Sequence, residues 1–139
     1  MDKLEYIPGD IVKIEYGEAT GKIGFVTNTF LRRKGCYSLV VFIGKGFQCS
    51  SKDDWIQTYN DEVSPIPLTP EILEKNGWKL SHGFYWSPNE EGAEVGLSSQ
   101  TGYVWNAYMR IYPLRSGINS VSDLQHLLFG LGINHEMEV

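Results

Sequence analysis

Several things are scarce in this chain, and each shortage excludes a class of protein. Cysteine occurs twice in 139 residues, as Cys36 and Cys49. That is too few for a disulfide framework or a cysteine-based zinc site, and both are expected as reduced thiols. Long apolar runs are missing: the longest uninterrupted one, residues 39–43, falls far short of the ~20 residues that a bilayer helix requires. The opening Met1-Asp2-Lys3-Leu4-Glu5 has neither the basic nor the apolar region of an export signal, so a cytoplasmic protein with no membrane contact is expected. Positive charge is scarce as well. Twelve Lys and Arg stand against 17 Asp and Glu, for a net charge of −5, whereas sequence-independent affinity for phosphates needs clustered cations that release counterions.

What is present is the composition of an ordinary globule, 42% apolar and 21% charged. A chain of this length buries enough surface to fold without covalent staples. The charge is uneven: residues 1–60 carry eight Lys or Arg and seven Asp or Glu, while residues 61–139 carry four and ten. A local basic contact in the first half is compatible with that distribution, a general basic surface is not.

Turn signals in the first half recur every eight to twelve residues, at Pro8-Gly9-Asp10, residues 17–21, 32–35, 44–46 and 50–54, which is the spacing of short antiparallel strands. Between them lie segments rich in β-branched and aromatic residues, with Val12, Ile14 and Tyr16 on one face and residues 37–43 apolar on both, as in a strand enclosed by a small barrel. An SH3-like barrel over residues 1–62 is expected. Gly9-Asp10-Ile11-Val12-Lys13-Ile14 followed by Gly21-Lys22-Ile23-Gly24-Phe25-Val26 resembles the KOW element of such barrels. That resemblance implies contact with RNA or with other proteins, as in ribosomal and transcription proteins.

Ser64-Pro65-Ile66-Pro67 interrupts the pattern, and residues 63–68 are expected as an extended connector. Thr69 then caps a short helix with Pro70 at its first position, and Asn76-Gly77 stops it with Trp78 folding back on Leu73. From residue 79 the apolar period becomes two. Leu80, His82, Phe84 and Trp86, then Ala93, Val95 and Leu97, then Tyr103, Trp105, Ala107, Met109 and Ile111 give three antiparallel strands. Ser120 and Asp123 form a capping box for a last helix whose stripe of Val121, Leu124, Leu127, Leu128 and Leu131 covers the sheet. Residues 133–139 are expected to add an edge strand. The fold class is therefore α+β: the barrel, then a unit at 69–139 of a three-stranded antiparallel sheet and two helices.

A second resemblance spans the ends of that unit. Pro65-Ile66-Pro67-Leu68-Thr69-Pro70-Glu71-Ile72-Leu73-Glu74-Lys75-Asn76-Gly77-Trp78, with Leu124-Gln125-His126-Leu127-Leu128-Phe129-Gly130-Leu131-Gly132-Ile133, resembles a group of small uncharacterised proteins of gut bacteria and their phages or prophages. It implies a phage or mobile-element origin and no catalytic residues.

Chemistry-bearing residues are present but not grouped. His82, His126 and His135 lack the paired spacing of a zinc site. Cys36 and Cys49 lie in strand-like segments without an activating helix terminus. Asp53-Asp54 and Glu90-Glu91 fall in turns, where acids are solvated, and Gly44-Lys45-Gly46 opens no phosphate-binding helix. No nucleophile, base and orienter converge, so a non-catalytic protein with no metal and no cofactor is expected, binding a protein partner or itself. Strand alternation puts Asn106, Tyr108, Arg110 and Tyr112 on the face turned away from the last helix, joined by Tyr85. Tyrosine, arginine and asparagine there are residue types suited to a protein contact. The alternative site is a basic hairpin tip, Arg32, Arg33 and Lys34, for nucleic acid.

Overall fold

The computed structural model describes residues 6–33, 36–44, 55–88 and 94–139. Lys34, Lys45, Cys49, Asp53, Asp54, Glu90, Glu91 and Ala93 lie outside the described residues. The described residues are mostly β, with 46% strand and 14% helix, and the chain divides into two compact units, Met1–Ile66 and Pro67–Val139. Among the described residues no helix is long and apolar enough to cross a membrane.

In the first unit, alternation builds the strands. They are β1 (Ile11–Ile14), β2 (Ile23–Arg33), β3 (Cys36–Phe42), β4 (Trp55–Tyr59) and β5 (Val63–Pro65), in one antiparallel sheet of order β4-β3-β2-β1-β5. Val12, Ile14, Val26, Leu39, Val41 and Val63 share one face and form the core with Tyr6. The turn before β1 is fixed by Asp10, whose carboxylate accepts from the Ile7 amide at 2.9 Å and whose carbonyl accepts from Val26 of β2 at 2.9 Å. The second face carries a row of large side chains, Ile11, Phe25, Phe42 and Trp55, one from each of β1 to β4. Ring centroids there are 5.4 Å apart for Phe25 and Phe42 and 4.7 Å for Phe42 and Trp55.

The expected closed SH3-like barrel is corrected by this sheet, which is open: β4 and β5 are its two edges. The β5 strand is three residues long and ends at Pro65, which has no amide hydrogen to extend a ladder. Residues 63–68, expected as a connector, are engaged on both sides of the division. Val63–Pro65 pairs with β1, Pro67 bridges Ser120, and the Leu68 amide donates to Asn119 at 3.3 Å.

The second unit opens with α1 (Pro70–Lys75). Thr69 accepts from Ile72 at its start, and the Trp78 amide donates back to Leu73 at 3.0 Å past its end. A five-stranded antiparallel sheet of order β10-β9-β8-β7-β6 follows, from β6 (Lys79–Ser81), β7 (Phe84–Trp86), β8 (Val95–Ser98), β9 (Trp105–Met109) and β10 (Tyr112–Ile118). Last comes α2 (Val121–Gly130), capped by Ser120, which accepts from Asp123 at 3.1 Å. Its Val121, Leu124 and Leu128 are buried.

The expected α+β layout with three strands is therefore also corrected. Two expected strands are hairpins. His82 and Gly83 both take positive φ, 53° and 82°, as a tight two-residue hairpin turn demands. Arg110 at φ 56° begins the turn between β9 and β10. The expected edge strand at 133–139 does not form. Its backbone is held by side chains: Gln125 donates to His135 at 2.9 Å, Asn76 both donates to and accepts from Glu138 at 2.7 and 2.8 Å, and Lys75 donates to Val139 at 2.9 Å.

Gly24 is the tightest point of the first sheet. A Cβ there would clash with the Phe42 carbonyl oxygen and lie 2.9 Å from a methyl group of Val41. Gly24→Ala is expected to destabilise the protein by about 1–3 kcal/mol through overpacking, seen as a lower urea midpoint at unchanged slope. An unchanged midpoint would show that β2 and β3 do not approach so closely.

Candidate functional site on the C-terminal sheet

Register decides which face each side chain takes. Tyr85 pairs with Leu97 and Leu97 with Ala107, so these three share a face. Trp105, two residues from Ala107, is on that face too, with its ring 5.8 Å from Tyr85. It is the face that α2 covers, because Arg115, paired with Ala107, reaches Asp123 of α2 at 3.6 Å. The opposite face carries Trp86, Gly96, Tyr108 and Pro113 in one row across β7 to β10, with Asn106 and Phe84 beside it. Phe84 meets Trp86 at 5.6 Å and Tyr108 edge-on at 5.7 Å. Gly96 is what lets the indole lie down on the sheet, since a Cβ there would be 2.9 Å from the Trp86 ring.

Of the residues expected to form the protein-binding face, the structure brings together Asn106 and Tyr108. Tyr85 lies on the covered face and is buried. Arg110 sits in the hairpin turn, and Tyr112 pairs with Met109 on Tyr85's side of the sheet. Phe84 and Trp86, which the sequence reading put under the helix, take Tyr85's place beside Tyr108. The two-residue turn at His82-Gly83 explains the exchange: it pairs Leu80 with Tyr85, so odd positions after the turn continue the face of even positions before it. A histidine-glycine pair between two short apolar segments was the available signal.

Asn106, Ala107 and Tyr108 of β9 line a depression of about 470 Å³ at the sheet edge with Pro113, Leu114, Arg115 and Ser116 of β10. The depression exists because β10 is bulged: register shifts fall between Pro113 and Arg115 and between Arg115 and Ile118. Leu114 is the unpaired extra residue of the first bulge, and such bulges re-aim side chains at sheet edges. A second depression, about 630 Å³, lies in the first unit between Tyr16 and Trp55. Its Lys22 stands against Glu18 and Glu62, a mixture that selects no charge. Arg32 and Arg33 are exposed at the end of β2.

No family model matches this chain, and neither do any curated proteins or solved structures.

Tyr85 is buried on the covered face with its hydroxyl at the surface. Its ring is buried while its hydroxyl donates to the exposed Glu74 carboxylate at 3.3 Å. Burial first, then the Glu74 charge and hydrogen bond and the charge of Glu71, push the phenol above its ordinary value of 10.0. A group raised in the folded state contributes stability that is complete below the unfolded value and lost as pH rises through the folded one. The parent is therefore expected to lose more stability than Tyr85→Phe as the pH rises above about 10. Parallel losses in the two proteins would show that Tyr85 ionises as freely folded as unfolded.

Proposed function

We propose that this is a non-catalytic binding protein of the cytoplasm, encoded by a phage or mobile element, that acts on a protein partner as an adaptor or inhibitor. The supporting observation is the exposed end of the β9–β10 hairpin. Ile111 is 84% exposed, Tyr112 67% and Leu114 36%, three large apolar side chains within four residues on the sheet edge next to the Asn106–Tyr108 depression. Isolated surface apolar residues need no explanation, but a cluster beside a polar-walled depression has the make-up of a protein contact, an apolar centre with a polar rim.

The way β10 is built also points to the mode of contact. Pro113 and the two register shifts break the regularity of the edge, which disfavours indiscriminate strand-to-strand pairing. Recognition then runs through side chains that wrap the sheet edge: Ile111, Tyr112 and Leu114 as anchors at the hairpin end, with Asn106 and the Tyr108 hydroxyl as hydrogen-bonding groups on the face opposite Tyr112. Residues 67–139 carry four Lys or Arg and eight Asp or Glu, a balance that repels phosphates and suits a protein surface. The two-block resemblance to small proteins of gut bacteria and their phages accords with an accessory role of this kind.

A photo-crosslinking residue in place of Tyr112 tests the reading in an extract of host cells. One discrete adduct is expected from position 112, lost when Ile111→Asp and Leu114→Asp are added, and absent when the crosslinker replaces the exposed Lys13 on the other unit. Equal labelling from both positions, or none from 112, would refute it.

A further inference from the structure

The strands β2, β3 and β4 contain no Asp or Glu at all, in a chain that has 17. We propose that the outer face of these three strands, ending in the arginines of β2, binds single-stranded nucleic acid. This surface is on the first unit and is independent of the β9–β10 site.

The register shows what the face presents. Phe30, Ser38 and Tyr59 form one row across β2, β3 and β4, and Asn28, Val40 and Gln57 form the next. Trp55 continues along β4. Phe30, Trp55 and Tyr59 are between 41% and 48% exposed, so three aromatic rings are available on one sheet face, away from the Val26–Leu39–Val41 core. Phe30 and Tyr59 stand two strands apart, about 10 Å, and Tyr59 and Trp55 four residues apart, about 13 Å. Between the first pair lies only Ser38, which accepts from the Gln57 amide at 3.1 Å. Ser38 itself is buried, so what the face offers to solvent is the exposed part of the three rings, and every base has a face to stack on a ring. Asn28 and Gln57 add exposed amides between the platforms.

The anionic part of the ligand is read from Arg33 and Arg32. Arg33 pairs with Cys36, which puts it on the same face as Phe30, and Arg32 is the extra residue of the bulge before it. Among the described residues neither guanidinium is in an ion pair, which leaves both to meet phosphates. Duplex nucleic acid hides its base faces in the stack and cannot use the rings. Glu18 and Glu62 border the Trp55 end of the face, so the site centres on Phe30, Tyr59 and the arginines, and that combination of rings and cations selects an unpaired strand.

The test is fluorescence anisotropy of the full chain with labelled oligo(dT) and oligo(U) of about twelve nucleotides and a duplex of equal length, a site of the size such platforms cover. The single strands are expected to bind at low salt, tighter than the duplex. The slope of log affinity against log salt is expected near −1.4, about −0.7 for each of two phosphates. Arg32→Ala with Arg33→Ala should bring that slope close to zero. Phe30→Ala or Tyr59→Ala should weaken binding about 5- to 150-fold at unchanged slope. Tyr59→Phe, which keeps the ring, should bind like the parent and guards against misreading a folding defect. Absence of single-strand binding at low salt, tighter binding of the duplex, or full affinity in both alanine variants would overturn the proposal, as would binding to anionic lipid vesicles with none to oligonucleotides.

Discussion

The second unit is organised around Trp105. Its indole is buried, donates to the Leu68 carbonyl at 3.0 Å and meets the Tyr85 ring edge-on at 5.8 Å, while its strand position pairs with Ile118. One side chain thus ties together the segment that leads into α1, the strand β7 and the end of β10 just before α2. Burying an indole of this size with its N–H satisfied is worth several kcal/mol, as the ~3–5 kcal/mol cost of removing such a ring shows. It also sets direction. With Trp105 and Ala107 turned inward, Asn106 and Tyr108 have no choice but the other face, and both border the depression beside β10.

Much of this was legible in the amino acids where a local rule is strong. Thr69-Pro70 and Asn76-Gly77-Trp78 mark the two ends of α1, and Ser120 with Asp123 marks the start of α2, because caps satisfy backbone groups within a few residues and owe nothing to distant contacts. The strand segments of the first unit were equally visible. Their closure was not: whether β4 and β5 meet depends on the whole sheet, and a three-residue strand ending in Pro65 leaves it open. Period two failed in the second unit for a different reason. It reads through any turn that keeps the apolar rhythm, so His82-Gly83 slipped the face of Tyr85, and Arg110-Ile111, lacking glycine, proline or asparagine, passed as strand. The tail was misread because its partners are the side chains of Asn76 and Gln125, which carry no sequence signal for a strand-like clasp.

The two units present different chemistry. Residues 67–139 are acid-rich, with an apolar edge at Ile111, Tyr112 and Leu114. The strands β2 to β4 contain no Asp or Glu, and their outer face is aromatic with arginines at the end of β2. If both proposed contacts are made, one chain would bring unlike partners together, which is what the proposed adaptor role requires.

The central claim is that the end of the β9–β10 hairpin is apolar for the sake of a partner and not of the fold. Urea unfolding of Ile111→Ser, Tyr112→Ser and Leu114→Ser measures this directly. Surface positions without structural work change stability by no more than about 0.5 kcal/mol, and that is the result expected for each. A loss of about 2 kcal/mol or more, the cost of emptying a packed site, would contradict the account by showing that the hairpin end belongs to the core.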